Sequence, residues 1–155
     1  MSAREDQDVV RLRAHHLLCL LNYVGKGYSP VFVANYDDVV ARLLIGADVE
    51  IVEGADDICA PLACARQGEG VGAHCFKASV RNRDVLAFGL VQRVLRGSGE
   101  LPDVTGRWRL GQARVAALRE AYRTGVFRAA CRGCQWVRLC HRVSQSDYSQ
   151  CRLRF

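Results

Sequence analysis

Residues 12–24, from Leu12 to Val24, are mostly apolar and include neither Gly nor Pro. That is the pattern of a buried helix, closed by Gly25 and Gly27. Ser29 followed by Pro30 reads as an N-cap and first helical residue, and Val33, Tyr36, Val40, Leu43 and Leu44 recur at helical spacing as far as Gly46. A second, amphipathic helix is predicted there. Residues 48–53 alternate polar with apolar up to Gly54, which predicts a short half-buried strand, the one clear strand of the pattern.

Farther along, Val85, Phe88, Val91, Val94 and Leu95 predict a third helix over residues 82–95, ended by Gly97 and Gly99. Residues 110–123 predict another, burying Val115, Leu118 and Tyr122 and turning Arg114, Arg119 and Glu120 outward. A cysteine-rich tail follows. The expected fold is one mainly α domain over residues 1–155, with about four or five helices, a minor strand element and cysteine-rich loops, and with residues 1–9 as a flexible segment. There is no repeat at a fixed period.

Composition sharpens this in one respect. The chain of 155 residues is half hydrophobic and a quarter charged, an ordinary globular balance, yet it holds eight cysteines. The acidic, polar start lacks the basic patch and apolar core of an export signal, and the longest apolar runs, such as Leu17 to Leu21, fall far short of the roughly 20 residues of a membrane span. A cytoplasmic protein without membrane association is expected. Clustered thiols in that reducing compartment point to metal or redox chemistry before structural disulfides. The net charge of +6 suits an acidic partner, a redox protein or another acidic protein; it permits nucleic acid without indicating it.

Three thiols fall within ten residues at Cys131, Cys134 and Cys140, the first two as Cys-x-x-Cys around Gly133. A tight turn can aim two sulfurs at one metal while the next helical turns bring a third. Soft thiolates select iron–sulfur clusters, zinc or copper(I), and the spacing matches neither a two-knuckle zinc ribbon nor a standard ferredoxin run. A thioredoxin-like pair needs a βαβ context that the pattern lacks. Cys151 is a candidate fourth ligand or a buried structural thiol.

A second candidate region spans residues 54–78, with Cys59, Cys64, His74 and Cys75 beside Asp56 and Asp57 in a glycine-rich stretch. Cys59 and Cys75 sit among polar residues, Cys64 lies in an alanine-rich run that suits packing, and His74 is a candidate ligand or a donor to one. On the first helix Arg13, His15, His16 and Cys19 interrupt an apolar surface, so each needs a compensating partner. Either histidine shares a helix face with Cys19 and can reach a metal held by the middle loop, or can bond backbone instead.

Taken together, Leu12 to Cys19, Tyr23 to Ser29, Phe32 to Tyr36, Asp56 to Leu62, His74-Cys75, Arg83-Asp84 and the run from Cys131 to Cys140 make the chain resemble a bacterial and archaeal family called domain of unknown function 1284. The resemblance implies iron–sulfur binding, with Cys19, Cys59, Cys75, Cys131, Cys134 and Cys140 as its positions; Cys64 and Cys151 are not among them. It allows one site fed by both the middle loop and the tail.

Three functions remain open on the sequence. One is an iron–sulfur protein in electron transfer or redox sensing. Another is a zinc-stabilised binding module for an acidic partner. The third is an enzyme that uses His15 or His16 with a cysteine or a metal, which gains weight if the middle loop closes on that helix around an open pocket.

Overall fold

A computed structural model describes residues 9–60, 78–134 and 136–155. The elements are β1 (Val9–Leu12), α1 (Ala14–Leu21), α2 (Pro30–Leu44), β2 (Asp48–Ile51), α3 (Ala78–Gly97), β3 (Arg107–Arg109), α4 (Gly111–Arg123), α5 (Arg128–Cys131) and α6 (Val137–Gln145). The expected mainly α architecture holds, with six helices among the described residues rather than four or five and three strands rather than one. β2 is central, parallel to β1 and antiparallel to β3, with Val10 opposite Val49 and Val49 opposite Trp108. The parallel pair needs a crossover, and α1 with α2 supplies it.

α1 is the hub. Ala14, Leu17, Leu18, Leu20 and Leu21 are all buried, and the helix packs against both α3 and α4. A helix apolar on most of its surface has to be enclosed in this way. It starts at Ala14 and not at Leu12, because Leu12 belongs to β1, whose residues pair with β2.

α2 begins as its sequence predicts. The Ser29 hydroxyl accepts the Phe32 N–H at 3.1 Å, Pro30 takes the first helical position, and Phe32, Tyr36, Val39, Val40 and Leu43 face the core. α3 is longer than expected and turns Val80, Ala87, Val91 and Leu95 inward while Val85 is largely exposed. Arg119 of α4 does not point outward: its guanidinium donates to the carbonyls of Leu21 and Leu153, locking α4 to the end of α1 and to the C-terminal segment.

Candidate metal centre

The start of α1 has no capping side chain of its own. Two distant carboxylates do that work. Asp56 Oδ2 accepts the Arg13 N–H at 2.8 Å, and Asp84 Oδ1 accepts the His15 N–H at 3.2 Å. Unsatisfied N–H groups and the positive end of the helix dipole both favour negative charge here.

The same carboxylates hold the two histidines. His15 Nδ1 lies 2.5 Å from Asp84 Oδ1 and His16 Nδ1 lies 2.7 Å from Asp56 Oδ2. Each Nδ1 thus meets a carboxylate, and both rings line one cavity. Burial lowers the His15 pKa to about 4 in spite of Asp84, so this imidazole is neutral near pH 7. Burial works to raise Asp56, but His16 and the Arg13 and Cys59 N–H groups outweigh it and leave the carboxyl at about 2.

Asp56 also organises the loop around Cys59. Its Oδ1 accepts the N–H groups of Ile58 and Cys59, each at 3.1 Å, and its own N–H donates to Cys59 Sγ at 3.1 Å. Asn35 of α2 fastens the loop from outside by donating to the Asp57 carbonyl at 2.7 Å. Among the described residues, His16, Asp56 and Cys59 offer one donor atom each within 4.8 Å of one another and could hold a metal ion.

The cavity measures about 200 Å³, and Cys19, Cys134 and Cys140 line it together with Cys59, His15 and His16. On α1, Cys19 follows His15 by four and His16 by three positions, so these side chains share a face. Cys131 ends α5; Cys134 donates its N–H to the Cys131 carbonyl at 3.1 Å, closing a turn through Gly133 at φ +79°. A side chain is strained at that φ, which is why the knuckle uses glycine. Tyr28 and Trp136 meet edge to face, with Trp136 Nε1 donating to the Tyr28 hydroxyl at 3.3 Å, and so tie the knuckle to the segment before α2.

The thiols sense one another. Burial, then Cys140, Cys134 and Cys131, push the Cys19 thiol well above its ordinary pKa, with Arg83 acting in the opposite direction. Burial, then Cys134 and Cys131, push Cys140 up to about 12, while a hydrogen bond from Tyr122 lowers it. Burial also raises Cys131, again against a hydrogen bond from Tyr122. Buried thiols of this kind hold their protons until a cation replaces them, and a metal does so outright.

Tyr36 adds a second sign of a ligand. Its hydroxyl is buried, has no hydrogen-bond partner among the described residues and belongs to a side chain on the cavity wall, near Cys19, Asp56 and Cys140. Leaving a buried hydroxyl unpartnered costs about 1–3 kcal/mol.

Cys151 lies elsewhere. It donates to the Leu21 carbonyl at 3.3 Å and packs with Val143 and Tyr148, outside the cavity lining. Cys64, His74 and Cys75 fall outside the described residues. Sequence reading missed Asp84 as the anchor of His15, and missed Tyr36 and Tyr122, which sit beside the thiols. The pair Arg83-Asp84 was visible as a motif, but not its partners nearly seventy residues away.

The model of a family described as "Protein of unknown function (DUF1284)" matches residues 27–140, a span that takes in Cys59, Asp84 and the tail cysteines to Cys140 but not α1. No curated protein and no solved structure matches the chain.

Proposed function

We propose that this chain, which belongs to the DUF1284 family of proteins of unknown function, holds an iron–sulfur cluster on Cys19, Cys131, Cys134 and Cys140 and serves in electron transfer or redox sensing. The observation that carries the reading is the meeting of α1 with the tail: Cys19, more than a hundred residues before the knuckle, lines the same cavity as Cys134 and Cys140. A chance thiol on a buried helix has no reason to face that set.

The surroundings suit the group. Cluster sulfurs are hydrogen-bond acceptors, and the Tyr36 hydroxyl is a buried donor without a partner among the described residues. Tyr122 supplies a donor to Cys131 and Cys140, and Arg83 offsets thiolate charge at Cys19 and Cys131. The cluster, when bound, supplies one-electron chemistry whose potential depends on burial and hydrogen bonds to sulfur. The basic chain suits an acidic redox partner.

Anaerobic reconstitution with iron and sulfide tests this. The expected result is charge-transfer absorption and acid-labile sulfide in the wild type, both lost in Cys134→Ala and Cys140→Ala variants. A wild-type chain that takes up zinc but neither iron nor sulfide overturns the reading.

A further inference from the structure

We propose that His16, Asp56 and Cys59 form a second metal site, separate from the four thiols, that takes one zinc-class divalent ion and leaves a coordination position open to the cavity. The inference goes beyond the cluster reading and does not rest on it.

The donors are already assembled. His16 Nδ1 lies 2.7 Å from Asp56 Oδ2, Cys59 Sγ lies 3.2 Å from Asp56 Oδ1, and all three residues meet the 4.8 Å limit. Donors on a tetrahedral zinc with bonds of 2.0–2.3 Å stand roughly 3.4 Å apart, so the His16–Asp56 pair has to open by little more than half an ångström. The one-nitrogen, one-oxygen, one-sulfur set mixes soft and hard donors, as zinc accepts and thiolate-bound clusters do not require.

Charge balances as well. A doubly charged ion, the Asp56 carboxylate, a Cys59 thiolate and a neutral imidazole sum to zero, which removes most of the cost of burying each charge alone. On binding, the His16 ring proton moves from Nδ1 to Nε2 and the Cys59 thiol proton leaves to solvent. The ion bonds to Nδ1, to a carboxylate oxygen and to Sγ.

The supporting shell is built from backbone. Arg13, Ile58 and Cys59 N–H groups fix both oxygens of Asp56, and the Asp56 N–H donates to Cys59 Sγ. His16 and Cys59 both line the cavity, so the fourth position of a three-donor ion opens there, to water or an anionic oxygen ligand. Three protein donors and one exchangeable position are the arrangement of reactive zinc, not of closed structural zinc.

Zinc X-ray absorption on the full, metal-free chain loaded with one equivalent of Zn2+ gives a readout that no variant can confuse. One sulfur and two or three nitrogen or oxygen neighbours are expected; three or four sulfurs put the ion among the tail thiols and overturn the proposal. Cobalt(II) titration adds the residues. The thiolate-to-cobalt band should vanish in Cys59→Ser and in His16→Gln at unchanged far-ultraviolet circular dichroism, and persist in a Cys134→Ser/Cys140→Ser double variant. Persistence in Cys59→Ser overturns the site. Normal iron and sulfide uptake by Cys59→Ser would leave the cluster reading standing whatever the cobalt result.

Discussion

Arg13 Nε and Nη2 both lie 2.8 Å from Asp84 Oδ2, so a guanidinium with no exposed surface joins the start of α1 to α3. Removing one partner of such a pair costs far more than removing both, because the survivor remains buried with its charge. Asp84→Ala should lose about 3–5 kcal/mol of unfolding free energy. The double variant Asp84→Ala/Arg13→Met should recover part of that loss. Urea unfolding of the four chains of this cycle measures the coupling, and strictly additive losses would deny it.

Acid should weaken the metal-free fold in two steps. His15 has its pKa lowered from 6.5 to about 4, chiefly by burial, so its neutral form belongs to the folded state and the unfolded chain takes up a proton first. Its contribution is complete above pH 6.5 and is lost as pH falls to about 4, a decrease of about 3 kcal/mol. Asp56, lowered to about 2 by His16 and backbone donors that outweigh burial, adds a further loss below pH 3.8. Unfolding free energies should hold from pH 7.5 to about pH 6.5 and then fall to pH 4, and the slope of that fall should flatten in His15→Gln. An unchanged slope in that variant would assign the acid response to other groups.

Arg119 illustrates what periodicity hides. Helical spacing places it on the outer face of α4, yet its side chain reaches back to the Leu21 and Leu153 carbonyls at 2.9–3.1 Å, and Tyr148 Oη donates to its own carbonyl at 2.7 Å. Arg119→Met should leave two carbonyls without their charged donor and cost about 2 kcal/mol, or roughly 4–8 °C in Tm for a chain of this size. Arg119→Lys should recover only part, since one ammonium lacks the planar fork. Thermal unfolding separates the two.

What could be read along the chain was local. Ser29 and Pro30 announce α2 because capping depends on residues three positions apart, and Asp48 to Ile51 announces β2 by alternation. β1 is not legible, since the pattern gives Val9 to the flexible start and Leu12 to the helix that follows, and β3 is three residues whose strand character exists only through pairing with Glu50, Val49 and Asp48. The site divides in the same way. Cys131, Cys134 and Cys140 declare themselves by spacing, whereas the bonds of His15 to Asp84 and of His16 to Asp56 span 69 and 40 residues and follow only from packing. Of the middle loop on which an enzyme reading depends, the described part, Asp56 to Cys59, meets the His15–His16 helix beside the cavity.

The fourth thiol of the tail set is the sharpest remaining choice. Cys151 is nearer in sequence, but its sulfur is spent on the Leu21 carbonyl among Val143 and Tyr148, while Cys19 opens onto the cavity shared with Cys134 and Cys140. A thiol bonded to a backbone carbonyl keeps its proton, and a ligand must lose it. Cys19→Ala should therefore reduce reconstituted iron and sulfide to background, and Cys151→Ala should leave both at the wild-type level with a stability loss of about 1 kcal/mol from the missing hydrogen bond. The reverse result, cluster retained without Cys19 and lost without Cys151 at unchanged circular dichroism, would move the site to the far end of the tail and leave Cys19 as a buried thiol of α1.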